Sequence, residues 1–253
     1  MVEEIVSVKD SRILIRPLEG VHEMNIGVDL QRRIWGFDEI DIVPDQIFIV
    51  AERSGGQVLG AFHEGKAIGI ALAFAGMHRG TVYLHSHLVG VAPEYQNRGI
   101  GRLLKLAQRD DAIARGIDLI EWTFDPLQLK NAYFNLARLG AVVRRYIPNC
   151  YGRTSSPLHA GLPTDRLVAE WPIKSARVLD LLTGKTGVPK ANCPRISIPT
   201  AIRQTCGSDP LEAEKIQSRV REQFQRHFAA GCAALGFELD EQQGSYILEP
   251  YEN

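Results

Sequence analysis

Residues 81–101, TVYLHSHLVGVAPEYQNRGIG, decide the fold of this chain. Residues 81–91 are rich in apolar and β-branched side chains and predict a strand. The apolar spacing from Ile100 onward predicts a helix that Gly116 ends. Residues 96–101, QNRGIG, therefore form a glycine turn that passes from strand to helix. Backbone N–H groups and the positive end of a helix can converge on a phosphate at such a turn.

Two better-known phosphate loops do not fit this turn. A Walker A loop requires Gly-Lys-Ser/Thr after four intervening residues, and a Rossmann turn requires a third glycine and a later acidic residue. Neither pattern surrounds Gly99 and Gly101. A lone pair of glycines is most often only a tight turn, so the residues around it must decide.

Basic residues follow the turn at helical spacing. Arg98, Arg102, Lys105 and Arg109 recur at intervals of three or four residues, which predicts one positive side of the helix. The alternative is an ordinary solvated helix face, partly neutralised by nearby aspartates. Directly behind a phosphate-binding turn, the stripe favours electrostatic guidance of a polyanion.

The composition is that of a globular protein that binds small molecules. The chain has 253 residues, of which 45% are apolar and 23% charged, and its formal net charge is −1. A general nucleic-acid binder would carry a strong basic excess, and a disordered chain would carry fewer apolar residues. The four cysteines are scattered without a CxxC pair. We therefore expect a small-molecule partner, no nucleic acid and no metal.

The sequence predicts a cytoplasmic protein that does not enter a membrane. The N-terminus is acidic where a signal peptide would need a basic start followed by an apolar run. The longest apolar stretch, at residues 68–77, is about half as long as a membrane span requires.

Hydrophobic periodicity and turn residues place the remaining elements. Strands are predicted over residues 13–16, 47–51, 57–62, 67–75, 117–124, 142–147, 166–172 and 196–203, and at the hairpin 237–239 and 246–248. Helices are predicted over residues 19–35, 129–139, 175–182 and 210–228. We expect a first domain over residues 1–174 and a small α+β extension over residues 175–253. The long helix of the extension is expected to pack on the core or on a second copy of the chain in a homodimer.

At this point the sequence resembles the GNAT superfamily of acyltransferases. The superfamily signature is Q/R-x-x-G-x-G/A between its fourth strand and the helix that follows, which corresponds to residues 96–101 here. The resemblance covers roughly residues 12–172 in the superfamily's order of elements. Three short motifs are similar to a GNAT subgroup with a C-terminal extension. They are HSH at 85–87, WTFDP at 122–126 and TDRL at 164–167.

The resemblance implies an α/β fold and a coenzyme A site. The fold has a mixed, mostly antiparallel central sheet flanked by helices. The turn would bind the pyrophosphate of acetyl-CoA or another acyl-CoA, and the preceding strand would pair with pantetheine and polarise the thioester carbonyl. The residues implied are Val89, Val91, Gln96, Asn97, Arg98, Gly99, Ile100, Gly101, Arg102 and Asn131.

Three residues are candidates for the base that takes a proton from the acceptor amine. His85 lies where many superfamily members carry a catalytic glutamate, and an imidazole titrates near neutral pH. His87 shares its strand face, because side chains alternate along a strand. Glu121 lies on the next strand and is the rival base. The alternatives are a packed strand histidine and a solvated or ion-paired carboxylate.

The acceptor side is predicted at the start of the last strand of the first domain. Arg166, beside Asp165, could bind a substrate carboxylate bidentately, and the alternative is a structural ion pair within the loop. Cys150 offers a covalent alternative, although free cysteines are usually small buried residues. The tyrosine that often protonates the departing thiolate in the superfamily is replaced by Leu136, so water, Tyr146 or Tyr151 would have to serve.

These observations predict an N-acyltransferase that moves an acetyl or succinyl group to a small amine by direct attack. The subgroup's link to acylation of amino acids implies an amino acid as the acceptor. Two alternatives stay open: transfer to a protein or peptide amine, and an acyl-CoA-binding protein without turnover.

Overall fold

The computed structural model describes residues 4–8, 11–152, 161–185 and 192–252. The chain divides into two compact units, Met1–Glu121 and Trp122–Asn253. None of the described helices is long and apolar enough to cross a membrane. The predicted division at residue 174 follows the order of elements in the family and stays a prediction.

The first unit is built on a sheet whose strands lie in chain order. The strands are β1 Glu4–Val8, β2 Ser11–Pro17, β3 Gln57–His63, β4 Lys66–His78, β5 Thr81–Val91 and β6 Leu119–Phe124, the last of which runs across the boundary of the unit. Neighbouring strands from β1 to β5 are antiparallel, and β5 pairs with β6 in parallel. The helices are α1 Gly20–Trp35, α2 Asp45–Arg53 and α3 Ile100–Ala114.

Helices cover both faces of this sheet. Met24 of α1 and Phe48 of α2 pack in one core cluster with Leu72 of β4. Leu104 of α3 packs in another cluster with Ala71 of the same strand. Consecutive strand residues point to opposite faces, so α1 and α2 lie on one side of the sheet and α3 on the other.

The strand predicted over residues 47–51 is wrong, because this segment is the helix α2. Phe48 and Ala51 are buried three residues apart, whereas Ile47 and Val50 are exposed. The run is apolar on all sides, so periodicity alone did not separate a short strand from a half-buried helix.

The second unit carries a sheet of five further strands, which lie in the order β8-β7-β10-β11-β9. The strands are β7 Val142–Ile147, β8 Arg166–Pro172, β9 Arg195–Pro199, β10 Cys232–Leu239 and β11 Gln243–Pro250. Each neighbouring pair is antiparallel. The helices are α4 Leu129–Tyr133, which continues as a π-helical turn over Phe134–Arg138, α5 Ala176–Leu182, α6 Ile202–Ser208 and α7 Pro210–Ala229.

The predicted C-terminal extension is part of the packing of this unit. Ala234 of β10 pairs with Val143 of β7, so the terminal hairpin extends the sheet. Phe224 of α7 lies with its ring 5.8 Å from that of Tyr146. The expectation that the long helix packs on the core is therefore confirmed.

The strand predicted over residues 196–203 is wrong in its second half. β9 ends at Pro199, and α6 begins at Ile202, whose side chain is buried. Pairing with β11 covers only Arg195–Pro199, and Thr200 then donates from its hydroxyl to the carbonyl of Glu241. The sheet contacts of β11 thus decide where the strand stops.

Candidate active site

The turn after β5 brings the start of α3 up to the end of the strand. The amide of Ala92 donates to Ile68 O of β4 at 2.8 Å, which fixes the end of β5, and Gln96 Nε2 donates to Val91 O at 3.0 Å. Asn97 and Gly99 have φ of 60° and 84°, the left-handed conformation that asparagine and glycine adopt most readily. The turn therefore closes back on the strand before the helix begins.

The start of α3 has the properties of an anion site. The first N–H groups of a helix have no partner within it, and they carry the positive end of the helix dipole. No acidic residue lies in the first turn of α3. A Cβ atom built on Gly101 would have Val91 Cγ2 as its nearest neighbour, at 4.0 Å, so the backbone is open to a ligand there.

The exposed edge of β5 presents two of the predicted amides. The Ala92 N–H points towards β4, because it donates to Ile68 O. N–H directions alternate along a strand, so the N–H groups of Val91 and Val89 near its end point to the opposite edge. The register pairs between β5 and β6 are Leu84 with Ile120 and His85 with Glu121, which lie further back along β5.

His85 and His87 lie beside each other on β5. Their ring centroids are 6.2 Å apart, and the ring of His87 is 5.4 Å from that of Phe74. The register with β4 passes from Ser86 to Leu88 in one step, so His87 is the extra residue of a β-bulge, a device that redirects side chains. His85 is half-buried, whereas His87 as a whole residue is exposed.

Both imidazoles are biased towards the neutral form. Loss of hydration lowers the pKa of His85 below its ordinary 6.5, and the nearby Lys105 ammonium lowers the pKa further. Loss of hydration also lowers the pKa of His87, with a smaller contribution from His85. A neutral histidine can accept a proton at neutral pH, which is the property that a base requires.

Glu121 is the direct neighbour of His85 across the parallel pair of strands. Cα partners in adjacent strands lie roughly 5 Å apart and point to the same face of the sheet. The carboxylate is half-buried. The structure thus brings the preferred base and the rival base together, and both stay predictions.

The basic stripe predicted along α3 is wrong at Lys105. This side chain is 4% exposed, and its ammonium donates to Ser86 Oγ of β5 at 2.8 Å. Ser86 in turn donates to Gln108 Oε1 at 2.9 Å. Burial holds the pKa of Lys105 well below 10.5. The side chain of Arg109, one turn further along the same side of α3, is only 14% exposed, so this part of the stripe packs against the protein and is not a solvated basic face.

The described part of the second unit holds the other predicted site residues. Asn131 lies half-buried in α4, and Leu136 is fully buried, so no proton donor replaces the tyrosine at that position. Tyr146 donates its hydroxyl proton to Asp165 Oδ2 at 2.6 Å, and burial together with that carboxylate raises the pKa of Tyr146. This phenol is a poor source of protons for another group.

Asp165 is 1% exposed, and both of its oxygens accept hydrogen bonds. Arg221 of α7 donates from Nε at 2.8 Å and from Nη2 at 3.1 Å, and the amide of Asn149 donates at 2.9 Å. With Tyr146 as the fourth donor, Asp165 is held in a structural ion pair, although the pair does not lie within the loop as the alternative to substrate binding had it. Its partner is Arg221, which lies far along the chain.

Arg166 and Tyr151 form a more open polar surface. The Arg166 guanidinium lies over the Tyr151 ring, 5.3 Å from its centroid, and donates from Nη1 to Asp165 O at 2.9 Å. The Tyr151 hydroxyl is 2.7 Å from Thr123 Oγ1. Tyr151 is 50% exposed. This arrangement holds a guanidinium and two hydroxyls together where an anion could reach them.

Sequence reasoning did not identify Arg221 as a partner of this region. The signal was present in α7, where Gln217 and Arg221 lie four residues apart beside the buried stripe of Ile216, Val220 and Phe224. Polar side chains beside an apolar stripe tend to have a buried partner. Among the described residues, no group of three His, Cys, Asp or Glu side chains is arranged to hold a metal ion.

Comparison with known proteins identifies the class. Residues 27–140 match the family model of the Acetyltransferase (GNAT) family. These residues therefore form a GNAT-family acetyltransferase domain, and the resemblance predicted from the sequence is confirmed. No curated protein sequence matches the chain.

Solved structures show the same fold. The ribosomal-protein-S18-alanine N-acetyltransferase of Escherichia coli is 17% identical, with a TM-score of 0.52 over 65% of this chain and 96% of that chain. A GNAT-family protein from Desulfovibrio desulfuricans is 14% identical, with a TM-score of 0.50 over 64% of this chain and 99% of that chain. The predicted fold class, a mixed and mostly antiparallel sheet flanked by helices, is confirmed.

The buried lysine under β5 leads to a prediction on stability. We expect Lys105→Met to raise the free energy of unfolding at pH 7 by about 1–3 kcal/mol, because the apolar side chain fills the site without a charge to desolvate. The folded pKa lies below the unfolded one, so the unfolded wild-type chain binds more protons between the two, and wild-type stability rises with pH there. The advantage of the variant should shrink from pH 7 towards pH 10. Urea unfolding at several pH values measures this.

Lys215→Met, at a lysine whose side chain is 75% exposed, is the matched control and should show no such trend. A Lys105→Met advantage that stays constant across the pH range would contradict the assignment of a depressed lysine pKa.

Proposed function

We propose that this chain is an acyl-CoA-dependent N-acyltransferase that moves an acetyl or succinyl group to the amine of a small molecule such as an amino acid. The observation that carries the proposal is the turn between β5 and α3. It joins the N-terminal end of α3, an open backbone at Gly101 and the strand N–H groups of Val89 and Val91 within one short segment. The family match supports acyl transfer as the chemistry.

The donor is proposed to lie along this segment. Its pyrophosphate would accept hydrogen bonds from the amides of Arg98, Gly99, Ile100 and Gly101, and the side chains of Arg98 and Arg102 would add positive charge. The pantetheine chain would run beside β5 towards the N–H groups of Val91 and Val89. One of these N–H groups would polarise the thioester carbonyl. Gln96 and Asn97 shape the turn, and Asn131 is a further proposed contact of coenzyme A.

The transfer is proposed to proceed by direct attack. The amine nitrogen forms a C–N bond to the thioester carbon, and its surplus proton passes to His85, with Glu121 as the rival base and His87 as a second imidazole. The tetrahedral intermediate collapses with cleavage of the C–S bond, and coenzyme A leaves as a thiolate. A thiol has an ordinary pKa of about 8.5, so water can supply the last proton although Leu136 replaces a donor.

The acceptor is proposed to carry a carboxylate. Arg166 would bind this carboxylate with two N–H groups. The hydroxyls of Tyr151 and Thr123 would bind the polar atoms of the acceptor next to the carboxylate. A protein or peptide amine is the rival acceptor. The buried Leu136 favours a second candidate, binding of acyl-CoA without turnover. Thiol release that depends on an added amine, measured with acetyl-CoA and succinyl-CoA, separates an enzyme from a binding protein.

The donor site is tested by Gly101→Val. The new side chain enters open space, so the fold should persist while close approach of the pyrophosphate is blocked. We expect affinity for coenzyme A to fall at least about tenfold, measured by calorimetry. Gly207→Val, at another helical glycine with no atom near its Cβ position, is the matched control and should bind normally. Normal coenzyme A binding by folded Gly101→Val would place the donor elsewhere.

The base is tested by His85→Ala. Turnover should fall by about two to four orders of magnitude, while coenzyme A affinity persists because backbone groups hold the donor. In the wild type, the rise of turnover with pH that depends on His85, and that His85→Ala lacks, should be complete below the ordinary histidine pKa of 6.5, because the pKa of His85 is lowered. The same amine is used throughout, so its own titration is common to both profiles.

Glu121→Gln is the parallel variant for the rival base. If His85→Ala kept its rate and its pH profile while Glu121→Gln lost both, the base would be Glu121.

The acceptor site is tested by Arg166→Ala with a matched pair of amines, an amino acid and the amine left after its decarboxylation. Losing a bidentate charged contact should lower kcat/KM for the amino acid by about one to three orders of magnitude. The decarboxylated amine should lose little. An unchanged preference between the two amines would remove Arg166 from the acceptor site.

A further inference from the structure

The C-terminal extension contacts the segment that carries Arg166. Gln217 of α7 is 2% exposed and donates from Nε2 to the carbonyl of Pro163 at 2.9 Å. One turn further along the same helix, Arg221 forms its two hydrogen bonds to Asp165. Two side chains of α7 therefore hold both ends of the short segment Pro163–Asp165, directly before Arg166.

The same segment holds residues 149–152, which carry Tyr151. Asn149 donates from its amide to Asp165 Oδ1 at 2.9 Å, and Tyr151 donates from its amide to Thr164 Oγ1 at 2.9 Å. Cys150 donates from its amide to Thr164 O, also at 2.9 Å. Three consecutive amides thus depend on the placement of Thr164 and Asp165.

A continuous set of contacts runs from α7 to the polar surface. The helix fixes Pro163 and Asp165, and these residues fix the backbone on either side of Tyr151 and Arg166. The Arg166 guanidinium lies over the Tyr151 ring, whose hydroxyl meets Thr123. Asp165 is buried, so removing Arg221 leaves it without its charged partner and favours rearrangement of the segment.

We propose that Arg221 and Gln217 are positioning residues, through which the C-terminal extension sets the affinity for the acceptor. The inference rests on the proposed role of Arg166 in acceptor binding. It gives the extension a function in the reaction that acts through Arg166. A displacement of about 1 Å at a binding group can lower a rate constant roughly a hundredfold, so small movements of Arg166 are sufficient.

The test compares Arg221→Met, Arg221→Lys and Gln217→Met with Arg219→Met, an exposed arginine on the same helix as matched control. We expect Arg221→Met to raise KM for an amino acid about ten- to a hundredfold, with KM for acyl-CoA and the His85 pH profile unchanged. Arg221→Lys should recover part of the loss, and Gln217→Met should show a smaller effect of the same kind. If Arg221 acted on stability alone, Arg221→Met would have a smaller folded fraction. Its KM for the amino acid and its KM for acyl-CoA would then both equal those of the wild type.

Hydrogen exchange supplies a readout that needs no turnover. The amides of Cys150 and Tyr151 should exchange faster in Arg221→Met and Gln217→Met than in Arg219→Met. Unchanged exchange in both variants, or faster exchange with an unchanged acceptor KM, would overturn the inference. Absence of amine-dependent thiol release in the wild type would instead overturn the proposed function, and it is measured without any variant.

Discussion

The tight passage from β5 into α3 is the constraint on which the first unit depends. The strand end is fixed by the hydrogen bond from Ala92 to Ile68, and the turn folds back through the hydrogen bond from Gln96 to Val91. A helix can begin so close to the strand only because Asn97 and Gly99 take up left-handed backbone conformations. The same geometry exposes helix N–H groups and strand N–H groups along one short piece of chain. The backbone conformation that lets the helix begin here is thus also the one on which the proposed donor site depends.

The two units each contain a buried charged residue, and they satisfy it differently. In the first unit, Lys105 donates a hydrogen bond to Ser86 Oγ, and burial lowers the pKa of Lys105. In the second unit, Asp165 is surrounded by donors from Arg221, Tyr146 and Asn149. Burial without an opposite charge disfavours the ionised form of a lysine, whereas several hydrogen-bond donors around a carboxylate fix the segments that supply them. The lysine therefore lowers the pKa of its neighbour His85. The aspartate instead holds the backbone amide of Asn149 in place.

Periodicity predicted most elements of the fold and failed where tertiary contacts decide. The strand β7 and the strand β8 have the predicted bounds, and α7 begins at Pro210, behind the aspartate that caps it. The segment 47–51 became α2 because the sheet offers a surface for one helical face, and β9 stopped where its pairing with β11 ends. β1 was not predicted at all. Such short segments contain too few residues to distinguish a period of 2 from one of 3.6.

The sequence by itself determined the family resemblance and the glycine turn from strand to helix, because both reside in a contiguous motif that depends on backbone conformation and on residues that permit it. It also placed His85 and Glu121 on two strands that the structure pairs with each other. Only the tertiary structure decided which charges face water. Lys105 belongs to an apparent surface stripe yet lies under β5, and Asp165 is paired with Arg221, 56 residues later in the chain. Local sequence carries no record of such partners, because burial and ion pairing are properties of elements that meet only after folding.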